Sequence, residues 1–380
     1  MKFIFSFEQN VFQNYVSYDK ENESFLKSEI AKSKTKIDEQ FFNKQWDKYK
    51  KISNEFELIY TNDTEVPSIS EVHPVSRSYF KLWEILTDFE YIIKTKQKKN
   101  IKCGFIAEAP GGFVQAMIDY RCKNSSDKYY GMSLMSKYND SKVPTWRVPS
   151  TTNFEICTGV DGSGSLYNVK NQNYFANITG YNTCDIVTAD GGFDYTKDYN
   201  KQESISLRLI ICEIQTCFKL IKDGGTFVLK IFDFNLNKTR YLLNILFTAF
   251  DNMFIVKPST SRPANSEKYV ICTGFRYKNL NIVRKMLYEC IMNTTNTSHT
   301  LHTTYTLPIE FEKKLVIANC LCMIEQLRNI SVTLNYISDG VDDLNAKLKE
   351  QYNTGFQWCV KYGIPVAMKS KDYYNILYKN

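Results

Sequence analysis

Hydrophobic and polar positions change their period along this chain, and those changes divide it into three parts. Over residues 24–53, Phe25, Ile30, Ile37, Phe41, Phe42, Trp46, Tyr49 and Ile52 recur at roughly helical intervals among charged residues. The spacing predicts an amphipathic helical extension over residues 1–70 that packs on a core, with 67–70 as a linker. A second helix is predicted over 76–91. From residue 101 the pattern shortens. Apolar runs at 101–107, 128–132, 153–157, 184–189, 225–232, 254–257 and 269–273 read as buried strands, with helices at 113–121, 202–221 and 238–250 between them. Alternation of this kind predicts an α/β fold of Rossmann-like type, a mostly parallel sheet with helices on both faces. Past residue 277, helical stretches at 279–292, 308–330 and 342–362 are interrupted by a Thr/Asn/Ser linker at 293–304. The expected division is an N-terminal helical extension (1–70), a core (71–277) and a C-terminal helical extension (278–380).

The core is organised around the turn Glu108-Ala109-Pro110-Gly111-Gly112-Phe113, between the first core strand and its helix. Glycine has no Cβ, so backbone here approaches a ligand closely, and the helix that follows points unpaired N–H groups into the turn. Glu108 falls at the carboxyl end of a strand, where open α/β sheets bind ligands.

Composition narrows the function without naming it. No apolar run approaches the roughly 18 residues of a membrane span, and 1–7 lacks the basic start of a signal peptide. Eleven cysteines without a CxxC pair sit inside apolar runs, as reduced thiols of a cytosolic or nuclear protein do. With three histidines, a His-rich metal site is not expected. The net charge of +7 permits a polyanionic partner. The lysine run over 94–99 is expected to be a solvated loop, with phosphate contact as the sharper alternative.

Four polar residues occupy places where polarity is costly. Asp190 ends a strand and precedes Gly191-Gly192, Lys230 interrupts an apolar strand, Glu267 closes the polar loop 259–266, and Lys81 lies on the helix before the sheet. A lysine in a strand core needs a partner or a shifted pKa. Any one of the four reads as a structural ion pair. Together, beside a glycine turn, two lysines and two carboxylates read as a site.

The series Glu108-Ala-Pro-Gly-Gly-Phe113, Ala189-Asp-Gly-Gly-Phe193, Leu229-Lys-Ile-Phe232 and Lys257-Pro-Ser-Thr-Ser-Arg-Pro-Ala-Asn-Ser-Glu267 resembles the FtsJ-like 2′-O-methyltransferases. Within them it is most similar to the mRNA cap ribose methyltransferases of eukaryotes and large DNA viruses. Ser76-Arg-Ser-Tyr-Phe-Lys81 resembles the family's helix with its first catalytic lysine, and the likeness runs in order from Trp46 to Phe275. The resemblance implies a catalytic tetrad of Lys81, Asp190, Lys230 and Glu267. It implies S-adenosylmethionine held by Glu108, Ala109, Pro110, Gly111, Gly112, Phe113, Asp161 and Asp190, and no metal. Two positions depart from the family pattern: 131–134 has no acid for a cofactor ribose, and Ser165 stands where relatives hold aspartate. The implied reaction is methylation of the 2′-hydroxyl of a cap-proximal nucleotide in capped mRNA, the first transcribed nucleotide favoured over the second. Burial and a second lysine are expected to leave one lysine partly neutral as proton acceptor. Arg77 and Arg262 are candidate phosphate contacts, and Trp146, Phe193 and Tyr195 candidate stacking faces for a methylated guanine. Other capping enzymes or RNA polymerase are the partners the resemblance suggests, in cytoplasm, a viral factory, a virion or nucleus. The alternatives are a ribosomal or transfer RNA ribose methyltransferase, or a non-catalytic relative that binds RNA or a partner.

Overall fold

The computed structural model describes residues 3–7, 18–61, 65–136, 143–148, 153–193, 199–295 and 306–379. At its centre five strands run parallel: β2 (Lys102–Ile106), β3 (Lys128–Met132), β4 (Phe154–Cys157), β5 (Cys184–Ala189) and β6 (Ile221–Ile231). Three more, β1 (Phe3–Ser6), β7 (Phe250–Lys257) and β8 (Lys268–Phe275), pair antiparallel, giving the order β1-β7-β8-β6-β5-β2-β3-β4. All seven expected strands form. The strand expected from 225 begins at Ile221, because Asp223, Gly224 and Gly225 read as a turn although they continue the strand past a register shift. β1 was not expected; four residues are too few to show a period.

Helices cover both faces. α6 (Val169–Thr179), α7 (Gln202–Leu220), α8 (Asn237–Ala249) and α9 (Leu280–Thr295) bury Phe175, Ile214, Leu246 and Leu287 in one core. α3 (Ser78–Asp88), α4 (Glu90–Ile93), α5 (Gly112–Tyr120) and α11 (Leu344–Tyr362) bury Phe80, Ile85, Met117 and Trp358 in the other. α12 (Met368–Lys379) follows, and α6 and α12 lie outside the helices the spacing predicts.

The expected helix over 24–53 is two helices, α1 (Lys20–Asp38) and α2 (Gln40–Ile52), separated where Glu39 takes extended backbone. Periodicity misses the break because both pieces face one partner, α10 (Ile309–Asp339). Ile30 meets Val316, Cys320 and Met323, while Ile37, Phe42 and Trp46 meet Ile330, Leu334 and Ile337. By length and composition α10 alone among the described helices could cross a membrane; here half of that apolar window is buried in the fold. Buried charges tie the same elements to the core. Glu23 pairs with Arg240 and accepts from Asn319 Nδ2 at 2.7 Å, and Lys34 meets Asp233 at 2.9 Å.

The expected linker at 67–70 is pinned: Ile69 and Ser70 donate to Leu58 and Ile59, and Glu71 donates to the carbonyl of Pro365. The lysine run at 94–99 lies at the amino ends of the strands. Arg121 holds the carbonyls of Thr95, Lys98 and Lys99, and Lys98 pairs with Asp185 at 3.0 Å. It is a structural corner remote from the carboxyl ends.

Candidate active site

β5 ends at Ala189, so Asp190 and Gly191-Gly192 emerge at the carboxyl edge of the sheet. Next to it, β6 places Lys230 one residue before its own end, opposite Tyr269 of β8. Glu267 immediately precedes β8, and α3 presents Lys81 to it. The four polar residues come together as two ion pairs. Lys81 Nζ lies 2.7 Å from Glu267 Oε1. Lys230 Nζ lies 3.2 Å from Asp190 Oδ1 and donates to the Asp190 carbonyl at 2.6 Å. Tyr269 donates its hydroxyl to the same Asp190 oxygen at 2.9 Å.

Electrostatics distinguishes the groups. Burial alone would raise the Glu267 carboxyl, yet Lys81, Lys230 and Lys257 overcome it and hold the pKa at about 2. For Lys230 the expectation of a partly neutral amine is corrected. Burial does disfavour its charge, but Asp190 and Glu267 outweigh burial and lift its pKa above the ordinary lysine value. The amine driven well below that value is Lys257, where burial dominates, Glu267 offsets part, and Lys268 and Lys81 add to the fall. Lys257 donates to the carbonyls of Asn265 and Glu267, each at 2.8 Å, and so fastens the loop that carries Glu267.

Beside the pairs, the turns after β2, β3 and β4 form a cradle. Ala109 N–H donates to Ser133 Oγ at 3.4 Å, and Pro110 accepts from the Arg147 N–H at 3.0 Å. Gly111 has φ +109°, and a Cβ there would come within 2.6 Å of Val148 Cγ2; at Gly112 it would overlap the hydroxyls of Ser76 and Ser78. Gly111 is required by backbone and by space, Gly112 by space alone. Glu108 is buried; Thr188 Oγ1 donates to its Oε1 at 2.6 Å, while Oε2 has no partner among the described residues. Burial first, and Asp190 second, push the Glu108 carboxyl well above the usual range. An unsatisfied buried carboxyl oxygen beside a glycine turn fits a small ligand with a hydrogen-bonding group. Phe113 is fully buried with its ring 5.8 Å from that of Tyr269, so it backs the site and does not line it. Asp161 is exposed and accepts from Ser163, Asn168 and Asn171, which hold its pKa down and shape the turn at 159–165.

The candidate RNA contacts separate. Arg77 is spent on the protein: it donates to the carbonyls of Tyr60 at 2.7 Å and Phe56 at 3.0 Å and meets Glu57 at 3.4 Å. Burial draws its pKa down to about 10. Arg262 grips the same Glu57 at 2.7 and 3.1 Å, with its side chain about a third exposed. Trp146 packs against Gly131 and Phe154 in the wall of the cradle, which corrects its reading as a free stacking face; its buried Nε1 has no partner among the described residues. Phe193 is exposed just past Gly192, and Tyr195 lies outside the described residues. A cavity of about 530 Å³ opens beside Pro110, lined among others by Lys51, Tyr60, Arg77, Arg147 and Arg262. Lys51 and Arg147 make no ion pair among the described residues.

Two participants escaped the sequence reading. Strand alternation puts Tyr269 on the same face as Glu267, a signal that was available. Glu213 is an acid inside the apolar run Ile210–Ile214 of α7, the same kind of misfit that marked Lys230. Its Oε1 accepts from the Gly191 N–H at 3.1 Å, and burial raises its pKa to about 8 despite Lys230.

The model of the FtsJ-like methyltransferases matches residues 74–275, more than half of the chain and all four paired residues. The chain is similar to the mouse (Mus musculus) cap-specific mRNA (nucleoside-2′-O-)-methyltransferase 1, 35% identical over 191 residues, which are 48% of this chain and 22% of that protein. It is 39% identical over 145 residues to the cap-specific mRNA (nucleoside-2′-O-)-methyltransferase of Autographa californica nuclear polyhedrosis virus, covering 38% of this chain and 54% of the viral one. Among solved structures, human methyltransferase-like protein 13 in complex with SAH superposes with a TM-score of 0.34 at 10% identity, over 61% of this chain and 96% of that one. The match thus spans about a fifth of the mouse protein and about half of the viral one. With its two buried lysine–carboxylate pairs set beside a glycine cradle at the sheet's carboxyl edge, the chain belongs to the FtsJ-like methyltransferase family.

Proposed function

We propose that this chain is an RNA methyltransferase that uses S-adenosylmethionine to methylate the ribose 2′-hydroxyl of a cap-proximal nucleotide in capped mRNA, the first transcribed nucleotide being the favoured position. The observation that carries the reading is the pair of buried ion pairs, Lys81–Glu267 and Lys230–Asp190, closed beside the 108–112 turn. Glu108, with its unpartnered oxygen, and the backbone of the 108–112 turn would hold the cofactor. When bound, it supplies a methyl group activated by a sulfonium.

The residues of this chain have the remaining work. A ribose hydroxyl is a weak nucleophile and must be aligned and relieved of its proton. Asp190, itself fixed by Tyr269, holds Lys230 at the carboxyl edge, so the ammonium stabilises a developing alkoxide from a set position. For Lys230 to accept the proton its pKa must fall from the raised value of the free protein. A cationic group entering the cradle acts in that direction, because like charges disfavour the ammonium. Glu267 anchors Lys81, whose ammonium adds to the same positive field. The 530 Å³ cavity, with Lys51 and Arg147 exposed on its wall and Arg262 partly so, suits the phosphates at the 5′ end of a capped RNA.

The test is methyl transfer from labelled cofactor to RNA with a methylated guanosine cap and to the same RNA with a triphosphate end. Preference for the capped substrate, with mass spectrometry locating the methyl on the first ribose, is expected. Equal rates on both would favour a structural-RNA methyltransferase, and no transfer to either would favour a non-catalytic relative.

A further inference from the structure

One face of the core carries charge and aromatic surface that the proposed reaction does not use. Tyr167 precedes α6, Tyr174 lies on it, and Tyr181 follows its Gly180 cap and donates its hydroxyl back to the Asn173 carbonyl of that helix at 3.4 Å. They are 40%, 41% and 46% exposed, and Tyr288 of α9 is 61% exposed. Large aromatic rings repeatedly left in water mark a binding surface more often than a packing remnant.

The charges that meet the Tyr167 ring and line the cleft below it are cationic, while Asp161 of the preceding turn and Glu289 beside Tyr288 are acids at its margins. Arg208 of α7 lies over the Tyr167 ring at 4.2 Å and makes no ion pair among the described residues. About three helical turns further down, α6, α7 and α9 enclose a cleft of about 390 Å³ whose walls include Tyr181, Lys219, Arg284 and Tyr288 and no acid. Lys219 donates to Asn173 Oδ1 at 2.6 Å, a neutral partner. Burial and the neighbouring Arg284 lower its pKa, as expected of two cations with no counter-charge between them. α6 has no carboxylate, and both acids of α7 are buried, Glu213 accepting from the Gly191 N–H and Glu203 from the Leu236 N–H. α9 adds Glu289, which does not line the cleft.

The strip has a direction. Its upper end abuts the catalytic edge: Leu209, next to Arg208, crowds Gly191, and Tyr167 follows the 159–165 turn. Its lower end is the cleft, about 17 Å further along α7 from Arg208 to Lys219 at helical rise. A basic track with successive aromatic faces is the chemistry that holds single-stranded nucleic acid without reading its sequence.

We propose that this strip, from Arg208 and Tyr167 down to Lys219, Arg284 and Tyr288, binds the single-stranded RNA that continues past the methylated nucleotide. The inference rests on the RNA methyltransferase reading above, and it adds a second contact zone remote from the cap.

The experiment compares the full chain with two double variants, Lys219→Ala/Arg284→Ala and Tyr174→Ala/Tyr288→Ala, all at exposed or half-buried positions outside the catalytic machinery. Substrates are a capped trinucleotide and a capped RNA of about 25 nucleotides, long enough to reach the cleft. Wild type is expected to show a lower KM for the long RNA. Each variant should raise that KM about tenfold or more and leave kcat and the trinucleotide KM unchanged. Binding of uncapped single-stranded RNA, measured directly against salt, should lose about two units of slope in the charge variant, one per cation removed. That binding arm is independent of catalysis: lost slope with no methylation of any capped RNA would sink the proposed function and leave the strip standing. Unchanged RNA binding in both variants, or equal effects on short and long substrates, overturns the strip and leaves the surface to a protein partner.

Discussion

Replacing Lys230 separates what the site does for folding from what it does for chemistry. Lys230→Ala removes one member of a buried pair and leaves Asp190 facing Glu108 and Glu213 with the Tyr269 hydroxyl as its remaining donor. Breaking such a pair costs ~3–5 kcal/mol in the deep interior. Lys230 and Asp190 keep 11% and 13% side-chain exposure, which puts the expected loss at the lower end, about 3 kcal/mol by urea unfolding. The chemical loss is of similar size and adds to it. A positioned proton acceptor is worth ~10²–10⁴ in rate, roughly 3–5 kcal/mol of barrier. Methyl transfer should therefore fall by at least a hundredfold in the protein that remains folded, while calorimetry with S-adenosylhomocysteine shows affinity within a few-fold of wild type. Lys230→Arg is the sharper companion. Arginine keeps the charge and the pairing with Asp190 but holds its proton throughout the working range. It should restore most of the stability and little of the activity. Turnover of Lys230→Ala within tenfold of wild type would refute the catalytic assignment; full activity in Lys230→Arg would reduce the lysine to a fixed positive charge.

Gly111→Val places a branched side chain at φ +109° against Val148, so binding of S-adenosylhomocysteine should weaken by at least about tenfold, and unchanged affinity would make the turn merely structural. Arg77→Ala strips donors from Tyr60, Phe56 and Glu57 and should cost about 2–4 kcal/mol of stability, whereas the more exposed Arg262→Ala should chiefly raise the KM for capped RNA; the reverse pattern would exchange their roles. Glu213 has a folded pKa of about 8, above the usual carboxyl value, so the native state keeps a proton that the unfolded chain releases at lower pH. The stability this confers is complete below about pH 4.5 and is lost as pH rises toward 8, at roughly 1.4 kcal/mol per pH unit. Glu213→Gln should abolish that slope, and parallel unfolding curves for wild type and variant between pH 5 and about 8 would contradict it.

The sheet and two of its paired polar residues were legible in the sequence for the same reason: buried strands are continuous apolar runs, so Lys230 and Asp190 stand out as interruptions at their ends. What stayed hidden depends on partners distant in sequence. Nothing local tells that Glu57 takes both Arg77 and Arg262, since the three meet only when the segment before α3 folds against the 258–266 loop. That Lys230 is not the partly neutral lysine was hidden because burial is visible in a strand pattern, whereas the opposing charges of Asp190 and Glu267 need coordinates. Trp146 was read as a loop aromatic, and its place over Gly131 follows from tertiary packing alone. The antiparallel pairing of β7 and β8 was equally out of reach of alternation counting, which assigns strands without their sense.

The short pairing of β1 with β7, Phe3 opposite Lys257 through Ser6 opposite Phe254, bears on handling the protein more than on its chemistry. β7 carries the apolar residues Met253, Phe254, Ile255 and Val256, and stripped of β1 it would offer a row of free main-chain donors and acceptors to any extended chain it met. Removing the first seven residues also takes the buried Phe5 and Phe7 out of the core, so it should lower stability as well as promote concentration-dependent association through a sticky border. A purification tag fused directly to Phe3 would carry the same hazard, so a spacer ahead of this strand is the prudent choice.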